Sequence, residues 1–156
     1  MALIIFNAVT LGLETSKTIM DRWGAVLHFI GAGVFGFAHT LPQINYYTHG
    51  SQVTVSHGHL AFFGAYALLN LMTFYFAMPR MKGIAEYDDR RGKIGFWTMC
   101  SAMMIMGLTF GVAGVLQSYI ERVLGMGYMV AQGYMRLWMG VTMAAGVFFL
   151  AGLLTT

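Results

Sequence analysis

The stretch VTVSHGHLAFFGAY, from Val53 to Tyr66, decides the fold of this chain, because it places two histidines in a run long and apolar enough to be a membrane-spanning helix. An imidazole inside a bilayer is costly unless it binds something, so His57 and His59 are predicted to be functional. Side chains two apart on a helix point roughly 200° apart, so the pair can serve two different neighbours. Gly58 between them leaves the backbone bare, which lets a flat, bulky group approach. Two haems flanking one helix would use all of these features.

The composition of the whole chain agrees with a membrane protein. Of its 156 residues, 58% are hydrophobic and 10% are charged, and the mean hydropathy is +0.65, far outside the range of a soluble domain. The single cysteine, Cys100, rules out a disulfide framework and a cysteine metal site, so any metal must be bound through histidine. The net charge of +3 comes from scattered basic residues without the patch that nucleic acid requires. No nucleic-acid partner is expected.

Alternating apolar segments and polar breaks predict an all-α, polytopic transmembrane helix bundle, organised as a single domain over residues 1–156. The approximate spans are 1–13, 23–41, 53–78, 94–120 and 129–154. Prolines are predicted to end the second and third spans, at Pro42 and Pro79, and the segment from Pro42 to Ser51 is predicted to be a loop. The first span is too short to cross a bilayer. We therefore interpret the chain as the C-terminal piece of a larger protein.

The charges of the polar breaks predict the orientation of the bundle. Lys17 and Arg22 lie in the first break, and five more basic residues lie between Arg80 and Lys93. The positive-inside rule makes these two breaks cytoplasmic and turns the segment from Pro42 to Ser51 outward. The histidine pair then lies in the outer half of its helix.

Two stretches carry a resemblance to a known family. Residues 31–66, GAGVFGFAHTLPQINYYTHGSQVTVSHGHLAFFGAY, followed by YFAMPRMKGI at 75–84, closely resemble the large, haem-bearing subunit of bacterial nitric oxide reductase, within the haem-copper oxidase superfamily. The specific motif is a histidine eight residues before an H-x-H pair, around the outer end of one spanning helix. The resemblance covers nearly the whole chain but only the C-terminal third of that subunit. It implies a multi-pass protein of the bacterial inner (cytoplasmic) membrane.

The resemblance also implies a role for three histidines. His57 matches the proximal ligand of the high-spin haem b at the catalytic site, and His59 matches one of two axial ligands of the low-spin haem b. His49 matches a loop histidine near haem propionates or a bound cation. A high-spin haem keeps one axial position open, whereas a relay haem is closed by two ligands, so one imidazole for each suits this division.

The implied reaction is the two-electron reduction of two NO molecules to N2O and water, with electrons supplied by a c-type cytochrome subunit. The family's non-haem iron is held by three histidines, supported by a glutamate, on earlier helices. The second ligand of the low-spin haem also comes from an earlier helix. No residue of this chain matches these ligands. The resemblance therefore implies that the remaining helices of the same subunit are partners and that this piece is inactive alone.

Other interpretations remain open on the residues alone. His57 and His59 could form hydrogen bonds between helices, and His49 could be a solvated loop histidine. His39 and His28 are assigned no ligand role. A terminal oxygen reductase of the same superfamily would share the H-x-H helix, and a non-catalytic haem-binding membrane electron-transfer protein would also account for the pair.

Overall fold

A computed structural model of the chain describes Val26, residues 29–84 and residues 89–156. Every element in these ranges is helical, which confirms the predicted all-α class. The helices are α1 (Phe29–Thr40), α2 (Pro42–Thr48), α3 (52–82), α4 (Asp89–Ser118) and α5 (Tyr128–Thr155). Wide π-helical turns form Phe29–Phe35 in α1, Phe63–Ala67 in the middle of α3, and Tyr119–Val123, which extends α4.

Two helices have the length and composition needed to cross a membrane. They are Arg90–Val123, with a mean hydropathy of 1.9, and Tyr128–Thr155, with a mean hydropathy of 2.0. The predicted spans 94–120 and 129–154 fall within them. The spans 23–41 and 53–78 overlap α1 and α3 and stay predictions as membrane crossings, while 1–13 lies outside the described residues. The fold is thus a bundle of membrane helices.

Helices α4 and α5 form a hairpin whose backbones touch. Its turn contains Gly125, whose φ of 66° is in the left-handed region that favours glycine. Near the other end of the hairpin, a Cβ on Gly95 would lie 2.7 Å from the carbonyl oxygen of Gly152. No larger residue fits at such a crossing, and small residues are what allow membrane helices to approach closely.

The first half of α3 lies between α1 and α4, and its contact with α4 continues into the core. The Ser56 hydroxyl, buried at 1% exposure, donates to the Gly107 carbonyl oxygen over 2.7 Å. A Cβ on Gly107 would lie 2.9 Å from Leu60 Cδ2, so the two helices are in close contact there too. The buried core beyond this contact consists of Leu60, Phe63, Leu68, Phe96, Met99, Cys100 and Met103. This packing fixes the helix that carries the histidine pair.

The structure corrects two local predictions. The segment from Pro42 to Ser51 is not a loop throughout, because Pro42–Thr48 is helical with the proline in its first turn, where its missing N–H costs nothing. Pro79 does not end α3, which continues to Lys82. The helix ends instead at Gly83, with φ 65°, where the Ile84 amide donates to the Pro79 carbonyl and the Gly83 amide to that of Arg80. This left-handed glycine cap satisfies two of the last four carbonyls, so glycine rather than proline is the stop signal.

Candidate functional site

The start of α3 is fixed to its surroundings two turns before the histidine pair. Ser51 caps the helix, with its hydroxyl oxygen accepting from the Val53 amide at 3.2 Å. The Gln52 amide donates to the side-chain oxygen of Gln117 on α4, over 3.0 Å. Amides of the first helical turn lack partners within the helix, so these two side chains satisfy donors that would otherwise be unpaired. The first turn of α3 is therefore fixed next to Gln117 of α4.

His57 faces α1 and is held by that helix. Its Nδ1 lies 2.5 Å from the carbonyl oxygen of Gly31. A carbonyl can only accept, so Nδ1 carries the proton and donates, which leaves the Nε2 lone pair available. Gly31 permits this approach, since a Cβ there would lie 2.7 Å from Leu60 Cβ and from the Ala61 amide nitrogen. No side chain or carbonyl of the described residues makes a hydrogen bond to His57 Nε2.

His59 is held in the same tautomer by a different partner. Its Nδ1 lies 2.9 Å from the carbonyl oxygen of Val55, one turn earlier in its own helix. The ring packs against Phe110 of α4, with 4.9 Å between ring centroids and 38° between the planes. Within the described ranges its Nε2 also has no hydrogen-bond partner. The two imidazoles are therefore directed to different sides of α3, one toward α1 and the other along α4.

These features fit axial ligands of two haems. Histidines that bind a metal through one nitrogen commonly donate the other N–H to a carbonyl, which fixes the tautomer and the ring direction, and both His57 and His59 do so. A Cβ on Gly58 would meet no atom of the described residues within 4 Å. Farther along α3, Phe62 and Tyr66 are 67% and 62% exposed. None of the described residues fills the side of α3 at Gly58, and the lack of a side chain there would let a planar group approach the backbone.

The third predicted site residue, His49, is placed apart from this pair. It lies in the turn after α2, where its amide donates to the Asn45 carbonyl oxygen over 2.8 Å, and its side chain is exposed. The structure thus brings His57 and His59 together on one helix and puts His49 at the surface beyond the start of that helix. His28 lies outside the described residues. Within the described residues no group of three or more His, Cys, Asp or Glu side chains forms a metal site.

The contact between His39 and His57 was not predicted from the sequence. The structure stacks its ring on that of His57, with 5.2 Å between centroids and 28° between planes. Its Nδ1 lies 2.7 Å from the Phe35 carbonyl oxygen. A signal was present, because His39 lies near the end of the apolar segment that precedes the histidine helix, at the same predicted outer level. The sequence does not indicate how α1 contacts α3, and this contact is what brings His39 next to His57.

Comparison with known proteins gives a family match and several similar proteins. Residues 3–148 match the family model described as Cytochrome C and Quinol oxidase polypeptide I. The chain is 43% identical over 136 residues to a nitric oxide reductase subunit of Stutzerimonas stutzeri, covering 82% of this chain and 29% of that protein. It is 28% identical over 114 residues to a putative cytochrome c oxidase subunit 1-beta of Streptomyces avermitilis, covering 71% of this chain and 19% of that protein. The chain spans less than a third of the length of these relatives.

The resemblance first inferred from residues 31–66 is confirmed by this similarity to a nitric oxide reductase. The family match covers most of the chain and includes the helix with His57 and His59. The H-x-H pair, the membrane helices and the family match agree, and the chain belongs to the cytochrome c and quinol oxidase polypeptide I family, within the haem-copper oxidase superfamily.

Proposed function

We propose that the chain forms part of the catalytic subunit of a respiratory nitric oxide reductase, which reduces two NO to N2O and water. The observation that carries this proposal is the pair of imidazoles, His57 and His59, directed to different sides of one helix, each with its Nδ1 within hydrogen-bond distance of a carbonyl oxygen. The 43% identity to the nitric oxide reductase of Stutzerimonas stutzeri supports this choice of substrate. His57 would hold a high-spin haem b and His59 a low-spin haem b.

The protein's own contribution would be to fix two imidazoles relative to each other. When bound, the low-spin haem would supply electron transfer and the high-spin haem would supply the iron that binds NO. His57 would be positioned through Gly31 on α1, and His59 through Val55 on α3 itself. Both imidazoles belong to α3, so their separation is set by one helix rather than by a loop. The hydrogen bond from Ser56 to Gly107 holds this helix against α4.

Several features of the proposed enzyme lie beyond this chain. The non-haem iron would be bound by residues elsewhere in the subunit, and so would the second ligand of the low-spin haem. We propose a c-type cytochrome subunit as electron donor and the bacterial inner membrane as the location. His49 is proposed to lie near haem propionates or a bound cation, and its exposed position beyond the start of α3 is compatible with that role.

The test replaces each ligand separately in the full-length subunit, within its complex. His57→Gly is expected to abolish the high-spin haem signal in reduced-minus-oxidised spectra and to leave the low-spin signal. His59→Gly is expected to abolish the low-spin signal. Both lose NO consumption. Added imidazole should restore each signal, because it can occupy the cavity left by the side chain, and Thr40→Ala, an exposed position on α1, serves as control. Unaltered spectra in both variants would refute the ligand assignment.

A terminal oxygen reductase is the second candidate, favoured by the similarity to cytochrome c oxidase subunits from Streptomyces avermitilis and Streptomyces coelicolor. The two activities are separated by supplying the purified, reduced complex with NO or with O2 in turn. The proposal requires NO consumption with N2O as product. Rapid O2 consumption without N2O formation would favour the oxidase, and consumption of neither would favour a non-catalytic electron-transfer protein.

A further inference from the structure

The ring of His57 is restrained on two sides, by two different residues of α1. Rotation of an imidazole about its Cβ–Cγ bond is soft, since this torsion has broad preferences. The Gly31 carbonyl restrains the ring at its Nδ1 edge. His39 covers one face, with 5.2 Å between ring centroids and 28° between planes, a spacing typical of offset-stacked rings. The edge contact alone leaves the ring free to tilt, and the face contact removes that freedom.

His39 is itself held by its own helix. Its Nδ1 lies 2.7 Å from the carbonyl oxygen of Phe35, one turn earlier. Its Nε2 lies 3.5 Å from the Thr54 hydroxyl oxygen on α3, and that hydroxyl donates to the Thr48 carbonyl oxygen over 3.0 Å. The ring is therefore anchored at one edge by α1 and bounded at the other by α3. A side chain fixed in this way can restrain the plane of the ring that stacks on it.

We infer that His39 is a positioning residue for His57, which sets the tilt and rotation of the His57 ring through its flat face. This inference rests on the proposed haem ligation by His57 and adds a second residue to that site. The role depends on the planar ring and not on the nitrogens of His39, because the contact between the two side chains is face to face. His59 has no such contact with His39, so the effect is specific to one haem.

The test uses two apolar replacements of similar volume that differ in having a flat face, His39→Leu and His39→Phe, in the full-length complex. The readout is the iron–histidine stretching band of the reduced high-spin haem in resonance Raman spectra. His39→Leu is expected to shift and broaden this band, and His39→Phe to keep it close to that of the unaltered protein. Loss of an aromatic pair also predicts that haem dissociation from this site becomes about two- to tenfold faster in the leucine variant.

Controls separate this inference from the proposed function. Thr40→Ala changes the adjacent residue, whose hydroxyl donates within α1 to Phe37, and should leave the band unchanged. The low-spin haem signal reports folding within the same sample. An unshifted band in His39→Leu, or equal shifts in the leucine and phenylalanine variants, would overturn the inference. Failure of the proposed function would show differently, as a high-spin signal that survives His57→Gly.

Discussion

Replacing Gly31 by alanine should disturb one of the two proposed haem sites and spare the other. A Cβ at this position would lie 2.7 Å from both Leu60 Cβ and the Ala61 amide nitrogen, whereas carbon atoms in contact prefer about 3.5–4.0 Å. Because the neighbouring atoms belong to the backbone and Cβ of α3, they cannot rotate away. Helix α1 must therefore move away from α3 by about 1 Å near Gly31. Overpacking of this kind costs about 1–3 kcal/mol of stability.

The same movement acts on the restraint of His57. The Gly31 carbonyl oxygen lies 2.5 Å from His57 Nδ1, and a displacement of about 1 Å would carry it to the limit of a hydrogen bond. His59 donates to Val55 within its own helix, so no shift of α1 changes that bond. We expect Gly31→Ala to alter the high-spin haem signal and lower NO consumption, with the low-spin signal unchanged.

The assay is a reduced-minus-oxidised spectrum of the purified complex, normalised to total haem by the pyridine haemochrome method. Gly33→Ala is the matched control, because it places the same side chain two residues along α1, where the nearest atom is Phe29 Cδ2 at an ordinary 3.5 Å. The same high-spin signal in Gly31→Ala and Gly33→Ala, or an equal loss of both haems in Gly31→Ala, would contradict this prediction.

Three further predictions concern helix packing. Gly114→Ala should lower the free energy of unfolding by about 1–3 kcal/mol in a detergent unfolding assay, because its Cβ would overlap the backbone of α3. Gly111→Ala is the control, and it should be close to neutral because the nearest atom is a side-chain oxygen at 3.8 Å. Thr142→Val removes a 2.7 Å bond to Thr109, but the Thr109 hydroxyl keeps a carbonyl of its own helix, so the loss should be about 0.6 kcal/mol in the same assay. Cys100, 5% exposed, should resist maleimide labelling in the folded protein and react after denaturation, as mass spectrometry would show.

Sequence patterns predicted the elements that depend on local chemistry. The 200° separation of His57 and His59 follows from helix geometry alone, and the structure directs the two rings to different neighbours, α1 and the Phe110 region of α4. Gly58 was expected to leave the backbone bare, and no atom of the described residues lies within 4 Å of the Cβ that a larger residue would have there. These features needed only the periodicity of one helix and the absence of one side chain.

Features that depend on competing local signals or on contacts between helices were not predictable in this way. Proline is usually a helix terminator, yet Pro79 lies within α3, since a glycine four residues later provides a better cap. Pro42 was treated only as an end, although proline is equally suited to the first turn of the next helix, as in α2. The position of His39 depends on how α1 crosses α3, which glycines such as Gly31 permit but do not specify.

The two imidazoles differ in what holds them, and this difference has a functional consequence under the proposed ligation. His59 is anchored within α3, so its orientation is as rigid as that helix, which suits a relay whose distance to its partner must stay constant. His57 is anchored to Gly31 and faced by His39, both on α1, so its orientation depends on the contact between two helices. Any shift of α1 against α3 would therefore change the environment of the catalytic iron without altering the relay. The haem that must bind and release ligands would thus be the one whose supporting imidazole can be adjusted from a neighbouring helix.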